Sequence, residues 1–137
     1  MCSHSVRVVA MISLAGLACA TEPCACPPAA SALVVYGRVL DGGSNPINGA
    51  GVDVFVGSPD CRFPSSSPPF AATTSTADGG YRASPSFGVL GAAVCLRVMA
   101  TDRAGTGEPI ATVEGVLAQF PHRNHAVDSV GIMLRGK

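Results

Sequence analysis

Ala93-Val94-Cys95-Leu96-Arg97-Val98-Met99-Ala100 alternates with a period of two, and that period decides the fold class. Successive side chains of an extended strand point to opposite faces. Val94, Leu96, Val98 and Ala100 therefore share one face, and Cys95, Arg97 and Met99 share the other. The first set suits a core and the second a wetter surface, as in a half-buried strand.

Toward the N-terminus, residues 81–87 read as a weaker strand. Pro85 interrupts it and places it at a sheet edge, because proline cannot donate to a ladder. Ala77-Asp78-Gly79-Gly80 is a tight hairpin signal, and the threonine-rich residues 70–76 before it can extend. Residues 57–69 carry Pro59, Pro64, Pro68 and Pro69 with three consecutive serines, and read as a long irregular loop. Residues 51–56 set Val52, Val54 and Val56 on one face against Asp53 on the other. Asp41-Gly42-Gly43-Ser44-Asn45-Pro46 is a dense turn signal, and residues 33–40 alternate around Val35, Gly37 and Val39. Toward the C-terminus, residues 110–120 are ambiguous and read as a strand with an irregular end. Residues 127–135 close the pattern, with Val130, Ile132 and Leu134 directed inward. Six or seven short strands with frequent turns and no helical period imply an all-β sandwich or barrel.

The 137 residues suffice for one domain. Net charge is zero, so composition offers nothing to nucleic acid or to a strongly charged partner. Lys137 is the only lysine and Trp is absent, which leaves few aromatic platforms for sugars.

The N-terminal stretch MCSHSVRVVAMISLAGLACA differs from everything after it. Arg7 precedes an apolar run over residues 8–18, the length of a signal-peptide core and too short to span a bilayer. Ala18-Cys19-Ala20 fits a small-residue cleavage site, so residues 1–20 are expected to be a leader helix that directs export. Gly16-Leu17-Ala18-Cys19 also resembles the bacterial lipobox. That resemblance implies lipidation of Cys19, although Gly16 stands where an aliphatic residue is usual. Both processing routes stay open. Residues 21–32, rich in Pro, Ala and Ser, read as a tether, and residues 33–137 as the folded domain.

Export exposes thiols to an oxidising compartment. Cys95 lies on the strand face opposite Val94, Leu96 and Val98, and Cys61 lies in a loop long enough to reach it. A Cys61–Cys95 disulfide is expected, with two unbridged thiols as the alternative. Cys24 and Cys26 sit close together in the tether and stay unassigned.

Val35-Tyr36-Gly37-Arg38-Val39-Leu40-Asp41, Asn45-Pro46-Ile47 and Gly49-Ala50-Gly51-Val52-Asp53-Val54 resemble the opening of carboxypeptidase regulatory-like domains. Thr76-Ala77-Asp78-Gly79-Gly80-Tyr81 resembles that family's T-x-x-D-G-x-Y hairpin, and residues 94–101 stand where the family has a V-x-V-x-A strand. The resemblance covers about a hundred residues. It implies a transthyretin-like, seven-stranded Greek-key β-sandwich and is hardly specific to function. Asp78, Gly79 and Tyr81 read as structural turn residues: Asp78-Gly79 suits the turn, and Tyr81 can bury its ring beside it while its hydroxyl reaches a backbone partner or water.

Two enzyme families share part of this opening. Intradiol dioxygenases have a similar G-R-V-L-D, P-I-x-G-A and V-D-V, and hold ferric iron with two tyrosines and two histidines. Here Tyr36 and Tyr81 are already placed by strand and turn, and the sequence has no H-x-H pair. Hydroxyisourate hydrolases carry H-V-L-D where this chain has Arg38-Val39-Leu40-Asp41. Their closing Y-R-G-S is matched here only by Arg135-Gly136. His122 and His125 flank Arg123-Asn124 in a turn with no acidic residue beside them, too few ligands for zinc. No G-x-S-x-G elbow or phosphate loop is present. The expectation is therefore a non-catalytic exported binding or structural module with no metal or cofactor. Its expected partner is a protein or envelope component, not nucleic acid, and it meets a membrane only through a lipid on Cys19. A carbohydrate-binding module is the alternative, and a small transthyretin-like hydrolase a further one.

Overall fold

A computed structural model describes residues 31–84, 86–87, 90–102, 107–123 and 126–137. The leader, most of the tether, Cys19, Cys24, Cys26 and His125 lie outside the described residues. The described chain is all-β, with strands β1 (Ser31–Leu40), β2 (Gly51–Gly57), β3 (Ala71–Thr74), β4 (Gly80–Ala83), β5 (Ser86–Phe87), β6 (Ala93–Thr101), β7 (Pro109–Gln119), β8 (Val127–Gly131) and β9 (Leu134–Arg135). Among the described residues no helix is long and apolar enough to cross a membrane.

The strands form two sheets packed as a sandwich. One is ordered β3-β2-β6-β7, with every neighbouring pair antiparallel. The other is built around β1, with β4 and β5 antiparallel along one side and β8 and β9 parallel along the other. The nine segments reduce to seven paths. Arg38 opposite Gly80 and Ser31 opposite Phe87 belong to one unbroken register, so β4 and β5 are a single edge strand interrupted between Ala83 and Ser86. Ala32 beside Val127 and Leu40 beside Arg135 keep one offset too, so β8 and β9 are one strand with a break at Ile132 and Met133. The chain changes sheets after β1, β3, β5 and β7, winding as a Greek key.

The core lies between the sheets. Val35 and Val39 from β1, Val52 and Val54 from β2, and Leu96 and Val98 from β6 are fully buried, closed by Phe120 and Leu134. Val56 and Val94 are only half-buried, because they sit at the ends of the inward rows. One boundary expected from composition is corrected. The tether does not run to residue 32: Ser31 and Ala32 already pair with Phe87 and Ser86, and Ser31 is buried. Small residues carry little hydrophobic signal, so a strand start made of Ser and Ala looks like linker.

Candidate functional site: two outer faces, one covered and one open

The hairpin turn builds one end of the molecule. Gly79 has φ +76°, a conformation that glycine adopts without a steric penalty. Asp78 Oδ1 accepts from Thr76 Oγ1 at 2.5 Å and from the Gly80 N–H at 3.1 Å, and Asp78 pairs with Arg38 at 3.5 Å. These contacts hold the Asp78 carboxyl below the usual range, the Thr76 hydroxyl first and the Gly80 N–H next. Tyr81 follows, its ring buried opposite Gly37. Its hydroxyl donates to the Ile132 carbonyl at 2.6 Å, and burial pushes its pKa well above the usual phenol range. A Cβ on Gly37 would stand 1.8 Å from that carbonyl oxygen and 3.1 Å from the Tyr81 ring, so only glycine fits beneath this contact.

On the β2–β6 sheet, the loop after β2 turns back over the outer face. A disulfide joins Cys61 to Cys95, with Cα atoms 5.0 Å apart. Cys95 does point away from the inner row, as its place in the alternation requires, yet it is fully buried under this loop. The turn is held by the Cys61 N–H donating to the Ser58 carbonyl at 2.8 Å and by an Asp60–Arg62 ion pair at 2.7 Å. Gly57 makes the reversal possible, since a Cβ there would meet the Arg62 carbonyl oxygen at 2.6 Å. Beyond the disulfide, the Arg97 guanidinium lies between the Phe55 and Phe63 rings, 4.5 and 4.7 Å from their centroids, and pairs with Glu114 at 3.3 Å. The sequence put Arg97 on this face but gave no sign of the aromatic clamp, which joins residues from three separate segments.

The outer face of the β1 sheet is different. Tyr36 and Arg38 project from β1, and Arg82 stands directly across from Tyr36 on β4. The Tyr36 ring lies over β8: its Cζ and Oη are 3.3 Å from where a Gly131 Cβ would be. Tyr36 is 47% exposed, and Met133, which points out between buried Ile132 and Leu134, is 53% exposed. Val34, on the same face, is buried, so the open part begins at Tyr36. Beside the arginines a groove of about 500 Å³ runs along the β4 edge, lined also by Thr74, Thr76 and Asp78. A larger hollow of about 660 Å³, near Asp41 and Arg135, lies elsewhere, and there Asp41 is taken up by Asn45 in the turn after β1.

Tyr36 and Tyr81 are near in register but belong to opposite faces of their sheet, one outside and one in the core, so they do not form a ligand pair. His122 is exposed and packs against Gly91, whose Cβ would stand 2.5 Å from Nδ1. Among the described residues no three His, Cys, Asp or Glu side chains group as metal ligands.

No protein-family model matches the chain, and comparison with curated proteins gives no match. Among solved structures, it is similar to hydroxyquinol 1,2-dioxygenase from Pseudomonas putida DLL-E4, with TM-score 0.43, 13% identity, and coverage of 78% of this chain and 57% of that one. It is also similar to catechol 1,2-dioxygenase from Pseudomonas arvilla C-1, with TM-score 0.34, 13% identity, and coverage of 82% and 54%. The chain thus spans little more than half the length of either structure. Likeness at this level transfers neither family nor activity.

Proposed function

We propose that this chain is an exported, non-catalytic contact module of the cell envelope or extracellular space, and that it meets its partner through the outer face of the β1 sheet. The observation that carries the reading is the contrast between the two outer faces. On the other sheet, the β2–β6 part of the outer face is roofed by the protein's own loop, fixed by Cys61–Cys95 and the Arg97 clamp, while Leu117 on neighbouring β7 stays exposed. The β1 face presents exposed Tyr36 and Met133 beside two arginines. Exposed aromatic and apolar groups next to arginine are the composition of contact hot spots.

The disulfide points to an oxidising environment, extracellular or periplasmic. Cleavage after residue 18 or 20, with Cys19 lipidated in the first case, supplies the route there. The carboxypeptidase regulatory-like resemblance agrees with an accessory role. The test is retention of the exported protein on isolated envelopes. Tyr36→Ala combined with Met133→Ser should release it while the thermal midpoint stays near wild type. Equal retention of this variant and the wild type would sink the assignment of the face.

A further inference from the structure

We infer that the Tyr36 face binds an acidic glycan, with a uronic-acid ring stacked on Tyr36 and its carboxylate held by Arg82 and Arg38. The inference rests on the contact reading above and names the partner's chemistry. Three features of the face point to it.

The first is the pose of Tyr36. A side chain opposite Gly131 meets no Cβ, so the Tyr36 ring lies against that glycine on β8 and still leaves about half of its surface exposed. An aromatic face carries negative charge density and receives C–H groups, the geometry a pyranose offers. A ring lying on the sheet does not project as a wedge, so it suits stacking better than insertion into a lipid surface.

The second is charge. Arg82 is the cross-strand neighbour of Tyr36, and Arg38 is two residues along β1 on the same face. Such neighbours stand within about 5–7 Å of the platform. A uronic acid carries its carboxylate directly on the ring, so a sugar stacked on Tyr36 would bring it within reach of these long side chains, and a guanidinium fork binds a carboxylate in bidentate fashion. Asp78 is the acidic group paired with this set, at 3.5 Å from Arg38, and its carboxylate is also engaged by Thr76 and Gly80. An exposed pair of this kind is weak, so Arg38 can turn to a ligand, and Arg82 adds a second positive charge.

The third is continuity. The groove of about 500 Å³ along the β4 edge begins at the same arginines and is lined with threonine. It offers hydroxyl partners to further sugar units beyond the one stacked on Tyr36.

The experiment is calorimetric titration of the disulfide-intact mature protein with tetragalacturonate, and with neutral cellotetraose at matched concentration. Tetragalacturonate should bind, weaken as salt rises, and exceed cellotetraose by at least about tenfold. Tyr36→Ala and Arg82→Ala should each lose about tenfold or more, while Tyr36→Phe keeps the stacking face and most of the affinity. Leu117→Ala, on the other sheet, should change nothing and shows that a loss is specific to the face. Circular dichroism of each variant separates lost binding from lost folding. Failure of the wild type to bind, equal binding of the neutral sugar, or full binding by Tyr36→Ala would each overturn the proposal. So would Tyr36-dependent capture by phosphatidylglycerol vesicles without tetragalacturonate binding. If tetragalacturonate fails while envelope retention still depends on Tyr36 and Met133, the glycan assignment is wrong and the contact reading survives. If retention is also unaffected by those changes, both fall.

Discussion

At the residue scale, Tyr81 shows how much one side chain can tie together. Its ring sits over Gly37 on β1, and its hydroxyl reaches the Ile132 carbonyl where β8 breaks before β9. One residue thus joins all three paths of its sheet. Tyr81→Phe keeps the ring but leaves a buried carbonyl without its donor, at a cost of about 1–2 kcal/mol. In urea unfolding, the midpoint should fall with little change in slope. Gly37→Ala should be worse, about 3 kcal/mol or more, because its Cβ collides with backbone that cannot retreat without breaking the pairing. The same burial predicts a pH effect. The folded-state pKa of Tyr81 is raised above its unfolded value of about 10. Its stabilisation is therefore complete below about pH 10 and is lost as pH rises further. Urea midpoints measured from pH 8 to 11.5 should fall at the alkaline end. Tyr81→Phe should flatten that fall, and an unchanged fall would show that another group is responsible. Asp78 works in the opposite sense. Its pKa is lowered, so its contribution is present above about pH 4 and is lost as pH drops.

At the scale of elements, the alternation in β6 and the break in the β4–β5 edge were legible, because strand periodicity and ladder-breaking residues are local properties. The disulfide was legible in part: the face of Cys95 and the length of the loop allowed it, but not the burial of Cys95 beneath that loop. The clamp was not legible, since Phe55, Arg97 and Phe63 come together only after β2 and β6 pair and the loop folds back. These two fastenings should differ in size. The disulfide closes a loop with its ends 34 residues apart, worth about 3–4 kcal/mol in a chain-entropy account. The clamp adds about 0.5–1 kcal/mol per cation–aromatic contact at a partly exposed site. Changing Cys61 and Cys95 together to serine should lower stability and open residues 58–70 to hydrogen exchange, while β1 and β6 stay protected. Arg97→Ala should loosen the same loop with a smaller loss. A larger loss for Arg97→Ala than for the double serine variant would reverse this ranking.

For the whole molecule, the six or seven strands read from alternation, and the seven that the resemblance implies, correspond to seven paths although the chain divides them into nine segments. Turn residues and inward valines mark the strands along the chain, whereas the two-residue gap between β4 and β5 changes the ladder locally without changing its register. The open Tyr36 platform escaped sequence reading for a topological reason: Gly131 lies 95 residues from Tyr36 and becomes its neighbour only through the parallel β1–β8 pairing. The disulfide also connects export with the core, because a bridge of this kind forms in an oxidising compartment. Two sheets of modest size support this domain, and small domains lean heavily on such cross-links. If residues 1–20 direct export, the protein should mature with a start at Cys19 or Thr21 and with Cys61 and Cys95 already joined. The same chain lacking that segment, made in a reducing cytosol, should carry both thiols reduced and unfold at distinctly lower urea, until oxidation restores the difference. Intact mass before and after alkylation reads both results at once: the N-terminus from the total, and the bridge from the number of thiols blocked. A start at Met1 in the exported fraction would remove the leader. Alkylated Cys61 and Cys95 in that fraction would remove the oxidising compartment from the account.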